Sequence, residues 1–555
     1  LSLYFAVRLL LSPTYSPTIH LSTTKTSTST LPFYTQITIM RLLPRLPLAT
    51  TSTLSFALSR PFSTRLSSTS APTPYSSLAA ALAVPTQLSR VSSILSWDQL
   101  VMMPEEASVP RAEMSAVLAS VISEKTQALG PLLKAVDPST LTDPEQRSTY
   151  FLALKAFEDA EAVGSELAGE KSRLAGVAYG SWAEARAAGA FGDFEPDLEA
   201  CFELAKRIAK LKAPSDPPYT TMLDEFERGI PESRIDEMFG MVEERLLPLI
   251  EKIKSSPNHP SLSPLIGHFP LPSQDALNAA ISSSLGYTGR RDVSLHPFST
   301  SSSPLDLRIT SRFDEGEWYQ GLAGTIHEIG HAFYEGGIPS PPLPANSALS
   351  MGTHESQSLF WERHVGLSRP FWSFAGPLVR SHLGVEASDS ELYAAVNAVK
   401  PSLIRVEADE VTYPLHVIIR TSIERAVVNG DLSVSDIPSA WNQKHRDLLG
   451  VSVPSDASGC LQDVHWSGLA FGYFPTYLVG AMGAAQLAHY AKRDVHDFDG
   501  KVAKGEFGEI REWLAGKVHA HGSRYDSFDD LLEDQVGERL NPEYFLTYLE
   551  KKYAD

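Results

Sequence analysis

The chain has 555 residues, 43% of them hydrophobic and 20% charged, enough apolar material for a large buried core and too much for a disordered or collagen-like class. Its formal charge of −19 is unevenly spread: residues 1–97 hold seven basic side chains and no acid, while residues 98–555 hold 40 basic against 66 acidic, a charge of −26. So acidic a body argues against nucleic acid as a partner, which needs a basic face, and two cysteines, Cys201 and Cys460, cannot build a disulfide framework.

Residues 1–75 are rich in Ser, Thr, Leu and Pro and are predicted to be a non-catalytic leader. No apolar run there reaches the roughly 18–20 residues that span a bilayer, so no membrane partner is expected. Met40 is the first methionine. Residues 1–39 are therefore expected to lie upstream of the true start, with 40–75 a disordered, Arg-containing and acid-free transit peptide. Arg60-Pro61-Phe62-Ser63 resembles a mitochondrial processing site, so a mitochondrial location is expected, with chloroplast or cytoplasm as alternatives.

From residue 76 onward the pattern is mostly helical. Ala112–Leu129, Ser148–Val163, Leu198–Leu211 and Glu232–Lys254 carry apolar residues at helical intervals, and Gly130-Pro131 ends the first of them. Residues 294–300 and 305–313 read as short strands, with Leu305, Leu307 and Ile309 alternating against Asp306, Arg308 and Thr310. A small β element in a helical body follows, with no internal repeat.

His327-Glu328-Ile329-Gly330-His331 is an HExxH. At about 100° per residue, Trp318, Leu322, Ile329 and Phe333 form one apolar stripe and the two histidines fall on the opposite side, one turn apart. Neutral imidazoles at i and i+4 can converge on one zinc, and a Glu between them can take a proton from water. Gly336-Gly337 ends the helix. A catalytic zinc wants a third protein ligand. Glu355 follows His331 with 23 residues between, room for a loop and a return helix, and His354, Glu335 and Glu362 are rivals.

These residues resemble one family closely, the carboxypeptidase Taq family of metallocarboxypeptidases. The resemblance runs from about residue 88 to the C-terminus. It includes Trp97-Asp98-Gln99, His296-Pro297-Phe298, Asp306-Leu307-Arg308-Ile309-Thr310, the HExxH and His354-Glu355-Ser356-Gln357. Ile404-Arg405-Val406-Glu407-Ala408-Asp409, Gly459 to Trp466, Gly472 to Tyr477 and Leu540 to Phe545 continue it. HExxH alone is weakly specific; the ordered set is highly specific.

The resemblance implies a mainly α, gluzincin-like fold: one large helical catalytic domain, residues 76–555, with a deep active-site groove and a small β element near the metal. It implies a homodimer that removes C-terminal residues from peptides with a free C-terminus, with broad side-chain tolerance. It also implies one Zn2+ or Co2+ per subunit, held by His327, His331 and Glu355, with Glu328 as general base and acid. Tyr413 and His465 are candidate catalytic donors to the oxyanion, and His416 is a further donor on the substrate side. A free α-carboxylate calls for a guanidinium fork, and Arg405 is the first choice, ahead of Arg420 and Arg308, for which an ion pair with Asp306 competes. His354 adjoins Glu355 and is a candidate substrate contact; Asp409 and Asp463 are expected to orient ligand histidines.

Overall fold

The computed structural model describes residues 72–257, 259–294 and 297–553. Residues 1–71 of the leader, with Met40 and the processing site, and His296 of the HPF motif fall outside these; the leader's last residues, Pro74 and Tyr75, expected to be disordered, open the first helix instead. The helices that position the site are numbered here in chain order: α1 (Pro74–Val101), α2 (Ser108–Gln127), α3 (Pro144–Ala188), α4 (Glu195–Lys212), α5 (Glu232–Ser255), α6 (Tyr319–Gly337), α7 (Met351–Leu359), α8 (Tyr413–Asn429), α9 (Pro475–Asp494) and α10 (Pro542–Tyr553). The predicted mainly α fold and its small β element are both present.

The helix ends follow from local chemistry. The Asp143 carboxylate accepts from the Gln146 amide (2.9 Å) to start α3, and Gly189 ends it in the left-handed conformation that a side chain disfavours. The predicted segment Ser148–Val163 stops where it does because Gly164 (φ 71°, ψ 161°) breaks α3 in two. Gly130, expected to end a helix, sits instead at the start of a further short one, Gly130–Ala135.

The sheet has the order β1 (Arg290–Val293), β3 (Asp306–Ser311), β2 (Ser299–Ser303), with β1 parallel and β2 antiparallel to β3. Ile309 is fully buried, as the alternation predicts, but Leu305 is 97% exposed because it lies in the turn between β2 and β3. Thr310, expected to face outward, is buried with its hydroxyl on Phe298 N (3.0 Å) and Ser294 Oγ (2.6 Å). β1 was missed: Arg-Arg-Asp-Val has no apolar alternation to betray it.

Most buried apolar side chains belong to one continuous core that starts at Leu167, just past the α3 break, and runs to Leu549. A second, smaller core joins Leu78 and Leu82 of α1, Leu129, Leu133, Val136, Leu141, Tyr150 and Ala153 to Leu343. α1 is the one helix among the described residues long and apolar enough to cross a membrane. It packs on α2 and β2, and its Trp97 ring lies under the Arg290 and Arg308 guanidiniums (4.7 and 4.4 Å). α10 is tied down by buried Glu410, which accepts from Lys552 Nζ (2.6 Å), Tyr553 Oη (2.7 Å) and Tyr548 Oη (3.1 Å).

Candidate metal centre

α6 starts where the Glu317 carboxylate accepts from the Tyr319 and Gln320 amides (2.7 and 2.9 Å). Its apolar stripe buries Trp318, Leu322 and Ile329 completely or nearly so. That leaves His327, Glu328 and His331 on the other side. The return helix α7 is capped by Ser350, whose hydroxyl accepts from Thr353 N (3.0 Å), and it carries Glu355 back across α6. The crossing is close because it is made on glycines. A Cβ on Gly330 would stand 2.6 Å from Gln357 O, and one on Gly480 of α9 would stand 2.6 Å from Glu355 Cβ.

Three donor atoms converge as a result. His327 Nε2 and His331 Nε2 are 3.1 Å apart, and Glu355 Oε2 lies 3.7 Å from the first and 3.5 Å from the second. A tetrahedral ion with ordinary Zn–N and Zn–O bonds holds its donors about 3.4 Å apart, so this set fits one. The tautomers agree with that. His331 Nδ1 donates to His354 O (3.1 Å) and His327 Nδ1 donates to Glu362 Oε2 (2.6 Å), so both Nε2 lone pairs face inward. Two lone pairs and a carboxylate aimed at one another are a cation's coordination shell. His327, His331 and Glu355 are the one such group of donors among the described residues.

The electrostatics of the pocket are acidic. Burial pushes Glu328 up to about 7; His327 pulls it down, and Glu355, Glu335 and Glu362 add to the rise. Burial works against a charged His327, but Glu355, Glu362 and Glu328 outweigh it and favour positive charge at that ring, up to about 9, so a cation that takes the Nε2 lone pair displaces a proton there.

The remaining predicted residues divide. His354 stacks on His331 (ring centroids 4.2 Å), and its Nε2 meets Glu335 Oε1 at 3.1 Å. Glu335, a rival ligand, is thus engaged one layer out, and so is Glu362. Tyr413, at the start of α8, is near enough to feel the Glu355 charge; burial chiefly pushes its phenol up to about 12, with Arg405 opposing. His465 Nε2 is 3.2 Å from Tyr477 Oη, and the Tyr477 ring lies under Arg405 (4.7 Å).

The arginines are less available than expected. Arg405 spends Nε and Nη2 on Asp463 Oδ1 (3.0 and 2.9 Å) and points Nη1 at Tyr413 Oη (3.4 Å). Arg420 is fully buried, with Nε on Asp463 Oδ2 (2.6 Å), Nη2 on Gln462 Oε1 (2.7 Å) and Nη1 on His416 O (2.8 Å). His416 is fully buried beside it, and burial with Arg420 keeps its ring neutral. Arg308 pairs with Asp306 (Nε–Oδ1 2.9 Å), as the competing reading of it anticipated.

The expected orienting roles of Asp409 and Asp463 are not what the fold provides. Asp409 takes the Thr412, Val411 and Lys400 amides (2.9, 3.0 and 3.0 Å), and Asp463 binds the two arginines. Glu362 and a backbone carbonyl orient the histidines instead. Glu362 stands in the sequence as a rival ligand to Glu355, not as a partner of His327. It lies in a π-helical segment, Phe360–Gly366, and the only sequence signal was a second acid two turns beyond the first.

Comparison with known proteins bears on the whole body. The family described as Carboxypeptidase Taq (M32) metallopeptidase matches residues 77–553. Carboxypeptidase 1 of Bacillus subtilis is 38% identical over 480 residues, covering 84% of this chain and 95% of its own length. Thermostable carboxypeptidase 1 of Thermus thermophilus is also 38% identical, over 489 residues, 84% of this chain and 96% of its own. A solved structure of Pyrococcus furiosus carboxypeptidase superposes with a TM-score of 0.84 at 32% identity, over 86% of this chain and 99% of that one. Trypanosoma cruzi metallocarboxypeptidase 1 superposes with a TM-score of 0.82 at 33% identity, over 87% and 99%. With a helical body of the same fold and a donor set fit for a divalent cation, this chain belongs to the carboxypeptidase Taq family of metallocarboxypeptidases, which hydrolyse peptide bonds.

Proposed function

We propose that the chain removes C-terminal residues one at a time from peptides, with broad side-chain tolerance, at the His327, His331 and Glu355 site, with Glu328 as general base and acid. The observation that carries this is the convergence of His327 and His331 of α6 with Glu355 of α7, beside the buried Glu328. A divalent ion held there, zinc by its nitrogen and carboxylate donors and cobalt by the same chemistry, supplies Lewis acidity toward water and a carbonyl. Glu328, on the turn between the two histidines, takes the proton of the attacking water and delivers it to the leaving amine. Tyr413 keeps its proton across the neutral range because burial raises its phenol, so it can donate to the oxyanion; His465 is the second donor. The stack of His354 on His331 and its place in the wall of a cleft support a role as a substrate contact.

The family match begins at residue 77, which supports reading 76–555 as the catalytic domain and 1–75 as a leader. The acid-free composition after Met40 supports a mitochondrial address, and the family resemblance supports a homodimer with one ion per subunit. Metal-loaded and chelated protein incubated with a peptide ladder, read by mass spectrometry, tests direction, tolerance and metal dependence together. Stepwise loss from free C-termini is expected, absent after chelation. Turnover of C-amidated peptides alone would overturn the carboxypeptidase reading. Glu328→Gln is expected to keep metal and lose roughly 10²-fold or more of kcat.

A further inference from the structure

A cleft of about 480 Å³ opens between α1, β2 and the loop that follows α6. His354 and Glu335 line it, so it reaches the layer directly behind His331. Its walls are dense in hydroxyls, Ser89, Ser93 and Ser96 from α1 and Ser301 to Ser303 from β2. Among the described lining residues it holds one cation, Arg90.

Arg90 differs from every arginine discussed above. Arg405 and Arg420 share Asp463, and Arg308 is paired with Asp306. Arg90 makes no ion pair or hydrogen bond among the described residues. Part of the reason is in the sequence: α1 has one acid, Asp98, and that is taken by Arg111. Partial burial alone acts on the guanidinium, lowering its affinity for a proton, with no carboxylate to raise it. An unpaired guanidinium in a cleft gains most from an anion that presents two oxygens to its fork. Glu335, the cleft's one carboxylate, is held by His354.

We infer that Arg90 binds a carboxylate of the peptide substrate in this cleft; the Ser89, Ser93 and Ser96 hydroxyls beside it donate to the Pro85, Ser89 and Ser92 carbonyls and Ser302 donates to Asp306, so these oxygens face the cleft as acceptors for peptide N–H groups. The inference rests on the proposed peptide hydrolysis. The shared chemistry, a peptide carboxylate, has two sources: the C-terminal α-carboxylate or an acidic side chain.

The experiment uses the metal-loaded full chain and two N-blocked substrates with free C-termini, Ala-Ala-Leu and Ala-Glu-Leu. kcat and KM are measured for the wild type, Arg90→Ala and Arg90→Lys. Arg90 is partly exposed in the middle of a helix, so both variants are expected to fold, and helical content checks this. Loss of a charge-assisted fork predicts a KM rise of roughly tenfold or more in Arg90→Ala, with Lys restoring part of it. An equal rise on both peptides identifies the α-carboxylate, and a rise confined to Ala-Glu-Leu identifies the side chain. KM within about twofold of wild type on both peptides, or a fall in kcat alone, overturns the inference. A wild-type protein that cleaves neither peptide overturns the proposed activity itself, a result distinct from an active enzyme indifferent to Arg90.

Discussion

Substituting Gly330 by alanine tests whether the metal centre depends on the crossing of α6 and α7. The added Cβ would stand 2.6 Å from Gln357 O and from Ser358 Cα, both backbone atoms, where ordinary contact begins at 3.4 Å. Relief requires α7 to move away from α6 by about 0.8 Å, the difference between those two distances. α9 blocks that retreat: Gly480 already lies against Glu355, and Gly483 against Ser356. The clash should cost about 1–3 kcal/mol as overpacking. Any movement that does occur widens the 3.5 and 3.7 Å spacings of Glu355 Oε2 from the histidines, beyond the tetrahedral edge. Metal affinity is expected to fall roughly ten- to a hundredfold, measured by competition with a chromogenic chelator, and the melting temperature to drop. Gly324→Ala is the control. It lies on the same helix, its Cβ would meet only Pro297, at 3.6 Å from Cγ and 3.9 Å from Cβ, and it should bind metal normally and melt no lower. Identical behaviour of the two alanine variants would refute the packing argument.

Three other outcomes follow from buried charges. Glu362→Gln removes the carboxylate that orients His327, and metal affinity is expected to fall roughly tenfold or more by the same chelator competition, with the fold intact. Burial pushes Glu227 up to about 8, against the bond from the Gly352 amide. A raised folded-state value favours the fold below the ordinary carboxylate range and loses that contribution as pH rises through about 8. Glu227→Gln should therefore gain in melting temperature on the wild type from pH 5 to pH 9, and a constant difference would contradict the assignment. Asp463→Asn leaves two buried guanidiniums to share a neutral amide, and urea unfolding should show a loss of about 3–5 kcal/mol.

The metal centre was legible because its signal is local. An i, i+4 histidine pair fixes its own geometry once the helix is known, and a return helix is a short-range device. Glu362 was obscured because a π-helical turn changes which way a residue two turns on will face. The partners of the arginines were hidden for another reason. Nothing near Arg405 or Arg420 in the chain announces that Asp463, 58 and 43 residues away, pairs with both. Leu305 shows the limit of alternation: the pattern holds through a strand and lapses at its turn. The glycines that allow α6, α7 and α9 to touch carry no periodic signal, so the closest packing in the site was also the least visible.

The break at Gly164 divides the chain's burial into two unequal reservoirs. The smaller core, nine buried side chains, must open at lower free energy than the body, because less apolar surface is exposed when it does. Amide exchange in α1, α2 and the first half of α3 should then run ahead of exchange in α6 and α7. One wall of the cleft belongs to the fast-exchanging part and the opposite wall to the slow one. The width of the cleft is then expected to vary with opening of the smaller core, while the donors of the cation site sit on helices packed in the larger one.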